Sequence, residues 1–193
     1  MTANGDQSDA LIGIVRYDSI DQANRVEHDA QISRIFFAAS SVQRFRDDRH
    51  RSAFHWLWLG RYLAEEPTEA YVALRDARVC GYLVGSLADP AQREEFKDLS
   101  YFQDFAAQTA RFPAHLHINV DEGARGVGVG ARLVEEFIDH ADGAGVPGLH
   151  VVTGAGMRNV GFYQRLGFAE VARAPRNGSA VVMLGKKLDG DDG

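Results

Sequence analysis

Residues 121–133 read DEGARGVGVGARL, a glycine-rich loop between an alternating apolar run and a segment with helical periodicity. As G-x-G-x-x-A, Gly126, Gly128 and Ala131 satisfy the fingerprint of a dinucleotide-binding unit. That unit requires a strand that runs almost directly into the first glycine, but here a charged spacer precedes Gly126. The next apolar run, 149–153, also ends without the acidic residue that would bind a ribose. These two departures disfavour a dinucleotide.

The same loop also fits R-x-x-G-x-G, with Arg125, Gly128 and Gly130 at the defining positions. Glycines allow backbone N–H groups to point into one concavity, and the helix that follows adds the positive end of its dipole. A pyrophosphate would meet several donors in such a loop. A glycine-rich turn that merely precedes a helix explains the same letters and stays open at this point.

Apolar periodicity predicts the order β, α, α, β, β, α, β, α, β, α, β, β along the chain. The first half should contain a strand at 11–18, helices at 19–39 and 52–67, a hairpin that turns at Asp76 and Ala77, and a helical stretch at about 91–111. The first helix carries an apolar stripe of Val26, Ile32, Ile35 and Phe36.

The second half begins with the alternating strand HLHINV at 115–120 and continues beyond the loop with an amphipathic helix. The apolar stripe of that helix consists of Leu133, Val134, Phe137, Ile138 and Ala141. A buried strand at 149–153, a short helix closed by Gly167 and a final hairpin turning at Asn177-Gly178 complete the chain.

Size and composition indicate one soluble domain. We expect a single domain at 11–188, with a disordered leader at 1–10 and a disordered tail at 189–193, in a chain of 193 residues. A net charge of −6 argues against nucleic acid as a partner, and the basic cluster at 44–51 contains two aspartates, as a solvated helix end would. A single cysteine, no signal peptide and no long apolar run predict a cytoplasmic protein without a membrane partner.

A second motif, RNVGFYQRLGF at 158–168, follows the glycine loop by about thirty residues. With this motif, the strand HLHINV, the loop RGVGVG and the strand LHVVT, the chain resembles the GNAT superfamily of N-acetyltransferases. The resemblance implies an α/β (α+β) fold, with a mixed central sheet of about seven strands flanked by helices. It also implies that the sheet splays between the fourth and fifth strands, and that acetyl-CoA is the co-substrate without any metal.

The resemblance assigns roles to individual residues. The loop would bind the pyrophosphate of coenzyme A, and the helix with Asn159 and Tyr163 would bind the pantetheine arm and the thiol end. Backbone groups of Asn119 and Val120 would be free at the splayed strand and would bond the pantetheine amides and the acetyl oxygen. The implied cofactor-binding set is Asn119, Val120, Arg125, Gly126, Val127, Gly128, Val129, Gly130, Asn159, Phe162 and Tyr163.

Within the superfamily, FPAHLHINV, AGVPGLHVVT and FYQRLGF are similar to the acetyltransferase-like domain of O-GlcNAcases and its free-standing bacterial relatives. Activity is doubtful in the eukaryotic domain, where the loop is degraded, whereas the loop is intact here. Superfamily members often form dimers, so a homodimer is a candidate assembly.

The catalytic candidates are Tyr163, Asn119 and His117. Tyr163 would donate a proton to the leaving thiolate, although a tyrosine that only packs in an amphipathic helix is the alternative. Asn159 would hold the pantetheine arm, or else cap its helix. His115, His117 and Asn119 alternate with apolar residues and should share one strand face.

His117 is the candidate base, although a half-buried histidine on a sheet fits equally well. Relatives in the O-GlcNAcase-like subgroup tend to carry an acid where Asn119 stands, and asparagine cannot act as a base. The H-x-H pair is a weak indication of zinc because a third ligand is missing nearby in the sequence.

Two functions follow from these residues: an active N-acetyltransferase, or a non-catalytic acetyl-CoA-binding or protein-interaction domain. The acceptor is not readable from the sequence. Acids and aromatics at 89–113 would face a cationic amine or, as the favoured interpretation, lie on a solvated amphipathic helix.

Overall fold

The computed structural model describes residues 12–176 and 178–188. Its strands form one sheet of seven strands in the order β1-β2-β3-β4-β5-β7-β6. Neighbouring strands are antiparallel, except that β4 and β5 are parallel. The strands are β1 Ile12–Arg16, β2 Ala70–Arg75, β3 Arg78–Ser86, β4 Ala114–Val120, β5 Gly148–Gly154, β6 Ala169–Arg176 and β7 Ser179–Lys187.

Helices connect these strands and cover both faces of the sheet. They are α1 Gln22–Ala39, α2 Asp48–His55, α3 Arg61–Glu65, α4 Tyr101–Asp104, α5 Ala106–Thr109, α6 Val129–Gly143 and α7 Arg158–Arg165. A π-helical turn, Trp56–Gly60, joins α2 to α3. Asp47 caps α2 by accepting a hydrogen bond from the His50 N–H at 2.7 Å, so the basic cluster is a solvated helix end, as predicted.

Two apolar layers lie on opposite faces of the sheet. The layer beneath α6 and α7 includes Leu83, Leu116, Leu133, Phe137, Val151 and Tyr163. The layer beneath α1, α2 and α3 includes Ile32, Leu59, Tyr62, Val72, Tyr82 and Phe102. Strand side chains alternate between the faces, so consecutive residues of β4 contribute to different layers. The mixed α/β fold and the predicted order of strands are confirmed.

The turn between β2 and β3 lies where the sequence predicts it. Asp76 and Ala77 have φ of 51° and 62°, the left-handed conformations of a tight two-residue hairpin turn. His28 on α1 donates from Nε2 to the Ala77 carbonyl at 3.3 Å, which ties the turn to the helix. A largely antiparallel sheet of this order excludes the dinucleotide-binding fold.

Several local expectations are wrong. Val26 belongs to the predicted apolar stripe of α1 but is 77% exposed. The stretch 91–111 is not one helix: it contains short helical turns, and its aromatic residues are buried instead of solvated. Those buried aromatics are Phe96, Tyr101, Phe102 and Phe105. The first strand ends at Arg16 instead of residue 18, and residues 1–11, 189–193 and Asn177 lie outside the described residues.

Within the described ranges, no helix combines the length and the apolar character needed to cross a membrane.

Candidate active site

The parallel pair β4 and β5 separates soon after it begins. Its register contains only Ala114 opposite Leu149 and His115 opposite His150, although each strand continues for several residues. The splay predicted between the fourth and fifth strands is therefore present. Beyond these two pairs, the edge of β4 faces a gap in the sheet.

A cavity of about 420 Å³ occupies this gap. Residues from both faces of the sheet line it, because the separated strands leave a passage between the two layers. Leu116, Ile118, Val151, Asn159 and Tyr163 line it on the face of α6 and α7. On the opposite face it is lined by Phe36, Ala39, Ser40, Ser41, Val42, Phe54, Trp58, His117, Asn119 and Val152.

The ladder between β3 and β4 determines which backbone groups face the gap. Asp121 donates its N–H to the Cys80 carbonyl on β3 at 2.9 Å. In an antiparallel pair of strands, every second residue directs its backbone N–H and C=O groups to the same neighbouring strand. Asn119 is two residues before Asp121, so its backbone groups also point to β3. The expectation that Asn119 has free backbone groups is therefore wrong. The N–H and C=O groups of Ile118 and Val120 point into the gap.

The glycine loop leads directly into α6. Gly126 and Gly128 have φ of 80° and 87°, which only glycine adopts without strain, and Gly128 is the N-cap of this 15-residue helix. A Cβ at either position would meet nothing within 4 Å, so the loop surface is open. Val127 between them is 58% exposed, whereas Val129 is buried and anchors the first turn of the helix.

Arg125 and Gly130 connect the loop to its neighbours. The exposed Arg125 donates from Nε to the Val120 carbonyl at 3.2 Å, so its guanidinium lies beside the open edge of β4. At Gly130 a Cβ would lie 3.4 Å from the Phe162 ring, so this glycine lets α7 approach the start of α6 closely. Loop, strand edge and α7 therefore meet beside the gap between β4 and β5.

Asn159 and Tyr163 project from consecutive turns of α7. Thr153 at the end of β5 donates its hydroxyl to Asn159 Oδ1 at 2.9 Å, while the N-cap of α7 is Met157. The capping alternative for Asn159 is therefore wrong. Tyr163 is 5% exposed, and its ring lies 5.4 Å from that of Phe168 between centroids. Burial raises the pKa of Tyr163 well above its ordinary value, so the hydroxyl keeps its proton.

On the opposite face, Asn119 is held by a neighbouring strand. Its amide Nδ2 donates to the Tyr82 hydroxyl at 2.8 Å, and Tyr82 is 1% exposed. The amide therefore satisfies the hydrogen-bonding capacity of a buried hydroxyl. As the sequence predicts, His115, His117 and Asn119 lie on one face, since all three contact the layer that includes Tyr62 and Tyr82.

Buried histidines lie at the base of the same face. His115 and Tyr62 share a hydrogen bond of 3.1 Å between Nε2 and the hydroxyl, and His150 donates from Nδ1 to the Phe112 carbonyl at 2.5 Å. Burial, together with the nearby His150 and Arg61, lowers the pKa of His117 to about 4. A histidine with this pKa is uncharged at neutral pH and is a weak base for an ammonium group.

A metal centre is not supported by these histidines. Among residues 12–176 and 178–188 there is no group of three or more His, Cys, Asp or Glu side chains that could hold a metal ion. His115 is committed to Tyr62 and His150 to Phe112. The weak indication of zinc from the H-x-H pair is therefore not borne out in the described part of the chain.

The sequence model of the acetyltransferase (GNAT) family matches residues 30–168. This range includes both motifs, the gap and the cavity. The chain belongs to the GNAT acetyltransferase family.

Solved structures share this GNAT fold over almost the whole chain. SsHAT is 23% identical with a TM-score of 0.70, covering 92% of this chain and 98% of that one. A mutant agmatine N-acetyltransferase in its apo form is 16% identical with a TM-score of 0.65, covering 92% and 99%. The protein yncA from Salmonella typhimurium, solved with its cofactor acetyl-CoA, is 17% identical with a TM-score of 0.58, covering 94% and 96%.

Some lining residues of this GNAT domain were not predicted from the sequence. Trp58, Phe36 and Phe54 form an aromatic wall, and Thr153 orients Asn159. The repeated tryptophans in HWLWLG are the one signal for the wall. Helical periodicity could not have identified Trp58, because the π-helical turn shifts its direction relative to an α-helix.

Proposed function

We propose that this chain is an acetyl-CoA-dependent N-acetyltransferase that moves an acetyl group to an amine by direct attack in a ternary complex. The observation that carries the proposal is the cavity between β4 and β5, which is lined from both faces of the sheet and contains Tyr163. Two substrates that enter from opposite faces can meet there, so the protein itself need not carry the acetyl group.

The residues beside the gap between β4 and β5 fit acetyl-CoA. The open loop at Gly126 and Gly128, the N-terminus of α6 and the exposed Arg125 form a cradle for a pyrophosphate. The backbone groups of Ile118 and Val120 at the open edge of β4 suit the amides of the pantetheine arm. Asn159 and Tyr163 line the path toward the centre of the sheet.

Acetyl-CoA supplies a thioester whose carbonyl carbon forms a bond to the amine nitrogen while its C–S bond breaks. The backbone N–H groups at the edge of β4 would stabilise the negative charge that develops on the carbonyl oxygen. Tyr163 would give its hydroxyl proton to the departing sulfur, since burial keeps that proton in place at neutral pH. The proton of the amine would leave to water, because His117 is a weak base.

A non-catalytic acetyl-CoA-binding or protein-interaction domain is the second candidate. One observation favours it: no carboxylate lines the cavity among the described residues, and the amide of Asn119 is bonded to Tyr82. The cavity therefore lacks a strong base. Both candidates share the cofactor cradle, and they differ only in turnover.

Calorimetry with acetyl-CoA tests the shared part, and absence of binding at millimolar cofactor would refute both candidates. A thiol-release assay over an amine panel then separates them. Acceptor-dependent release supports the enzyme, whereas release at the background rate with every amine supports the binding domain. Cys80 is free and buried, so it should not react with the thiol reagent of the assay.

We also propose a kinship with the bacterial relatives of the O-GlcNAcase acetyltransferase-like domain, and a cytoplasmic location. The strand and helix sequences around 112–120 and 162–168 support the first, and the free thiol of Cys80 supports a reducing compartment. Cell fractionation tests the location. Light scattering would decide between a monomer and the homodimer that the family resemblance suggests.

A further inference from the structure

The half of the cavity opposite the cofactor cradle has an aromatic wall. Phe36 on α1, Phe54 on α2 and Trp58 on the π-helical turn line it. Its remaining lining on this face is small or uncharged, with hydroxyls at Ser40 and Ser41 near its opening. A flat apolar group would bury its surface here, which favours binding roughly in proportion to the area removed from water.

Trp58 is held in place by the residues behind it. Its ring stacks on Tyr101, with 6.2 Å between centroids and 5° between planes. It also meets the His117 ring edge-on at 5.4 Å. Tyr101 is 6% exposed and belongs to the buried layer on this face. The wall is therefore formed before a ligand binds, and little ordering cost falls on the ligand.

Four of the five carboxylates between β3 and β4 are paired with cations. In the acidic stretch between β3 and β4, Asp98 forms an ion pair with Arg61 at 2.5 Å. Glu95 pairs with Arg93 and Glu94 with Lys97. Asp104 lies 4.0 Å from Arg176. None of these carboxylates lines the cavity, so the alternative that acids of this stretch face a cationic amine is not supported.

We propose that the acceptor is an aromatic monoamine, a primary amine on a flat aromatic body whose reacting nitrogen is its only basic group. This inference rests on the proposed function and adds the class of acceptor to it. The aromatic wall binds the ring, and the amine points to the gap between β4 and β5. A second ammonium group would lose water without meeting a counter-charge, which is strongly unfavourable.

Phenethylamine and 1,4-diaminobutane test the proposal. With acetyl-CoA, we expect kcat/KM for phenethylamine to exceed that for the diamine by about tenfold or more. Calorimetry of both amines on the coenzyme A-loaded protein measures the same preference without turnover. Equal values, or a preference for the diamine, would overturn the inference.

Trp58 and Trp56 provide a matched pair of variants. Trp58→Ala should reduce the preference for phenethylamine by about tenfold, while Trp58→Phe keeps most of it. Trp56, which is 46% exposed and does not line the cavity, should tolerate Trp56→Ala without a change in preference. A preference that survives Trp58→Ala in folded protein, or that Trp56→Ala removes equally, would contradict the assignment.

Ser41→Asp gives an independent test that leaves the buried layer intact. A carboxylate at this exposed lining position should favour the diamine and lower the preference by about tenfold. An unchanged preference would argue against the role of charge.

The inference and the proposed function can fail separately. If no amine is acetylated but the coenzyme A-loaded protein binds phenethylamine over the diamine through Trp58, the inference stands and the catalytic proposal falls. If amines are acetylated without regard to aromatic character or charge, the inference falls and the catalytic proposal stands.

Discussion

Replacing Tyr163 by phenylalanine removes one oxygen atom from the cavity and nothing from the packing around it. The ring lies 5.0 Å from Phe162 and 5.4 Å from Phe168 between centroids, and both contacts persist in the variant. No hydrogen bond from the hydroxyl to another described residue is present to be lost. We therefore expect the free energy of unfolding to change by no more than about 0.5 kcal/mol.

The catalytic effect should be much larger than the effect on stability. A positioned general acid contributes about a hundredfold to ten-thousandfold to the rate, which corresponds to about 3 to 5 kcal/mol of transition-state stabilisation. We expect kcat of Tyr163→Phe to decrease by about a hundredfold to ten-thousandfold. The Kd for acetyl-CoA, measured by calorimetry, should stay the same. Because burial raises the pKa of Tyr163, the wild-type kcat should not decline until the pH passes the ordinary tyrosine value of 10.0.

Tyr17→Phe is the matched control. The Tyr17 hydroxyl donates to Asp29 at 2.9 Å outside the cavity, so this variant should lose about 1 kcal/mol of stability and keep its kcat. Unchanged turnover in Tyr163→Phe, or a loss of acetyl-CoA affinity as large as the loss in kcat, would refute the assignment of Tyr163 as the proton donor.

Three further variants address the loop, the buried histidines and Asn119. Gly128 has φ of 87°, so Gly128→Ala should cost about 1 kcal/mol of stability and weaken acetyl-CoA binding in calorimetry. Gly123→Ala is the control, because Gly123 has open space around it and no positive φ, and it should change neither quantity. Equal behaviour of the two variants would argue against the loop geometry. Burial lowers the pKa of His150 from 6.5 to about 4. Between pH 6.5 and about pH 4 the unfolded chain is therefore protonated at this residue while the folded protein is not, and the free energy of unfolding decreases as the pH falls through this range. Denaturant titrations at pH 7 and pH 5 measure how much the free energy of unfolding decreases with acid. For His150→Gln this decrease should be smaller than for the wild type by roughly 2 kcal/mol. An identical pH dependence in both proteins would contradict the lowered pKa of His150. Asn119→Ala leaves the Tyr82 hydroxyl unpaired and should lower the free energy of unfolding by about 1 to 3 kcal/mol. The double variant with Tyr82→Phe should regain most of this stability. If it does not, the amide of Asn119 does more than satisfy the hydroxyl.

The order of strands and helices was predictable because each element carries its own periodic signal. The alternation in HLHINV and the apolar stripe of α6 both reflect burial on a single face. The turn at Asp76 and Ala77 was readable from the two apolar runs on either side. Such local patterns depend on neighbours in the sequence, and the structure keeps them.

The stretch between β3 and β4 was not predictable in the same way. Its aromatic residues are spaced as on an amphipathic helix, yet Phe96, Phe102 and Phe105 are each 2% exposed. Short turns bring them onto the sheet, where their partners, such as His115 and Tyr62, come from distant parts of the sequence. Tertiary burial here outweighs the local helical tendency, and periodicity alone contains no information about those partners.

Residues of the candidate site that belong to local sequence motifs were predictable, whereas features that depend on packing between distant elements were not. The glycine loop, Asn159 and Tyr163 belong to two compact motifs and were recognisable in the sequence. The direction of the backbone of Asn119 depends on the register with β3, which a single strand does not reveal. The shared hydrogen bond of Thr153 and Asn159, and the wall at Trp58, likewise require elements to be packed before they appear.

The passage through the sheet separates a donor side from an aromatic wall, and these two parts come mainly from different stretches of the chain. The donor side is built from 114–130 and 148–163, whereas the aromatic wall comes from 36–58, a stretch that contributes nothing to the glycine loop. Exchange of that N-terminal helical stretch between paralogues would therefore create new acceptor specificities on a constant thioester-binding frame. One added or deleted residue within Trp56–Gly60 would have a comparable effect, because it would rotate the wall without altering the sheet.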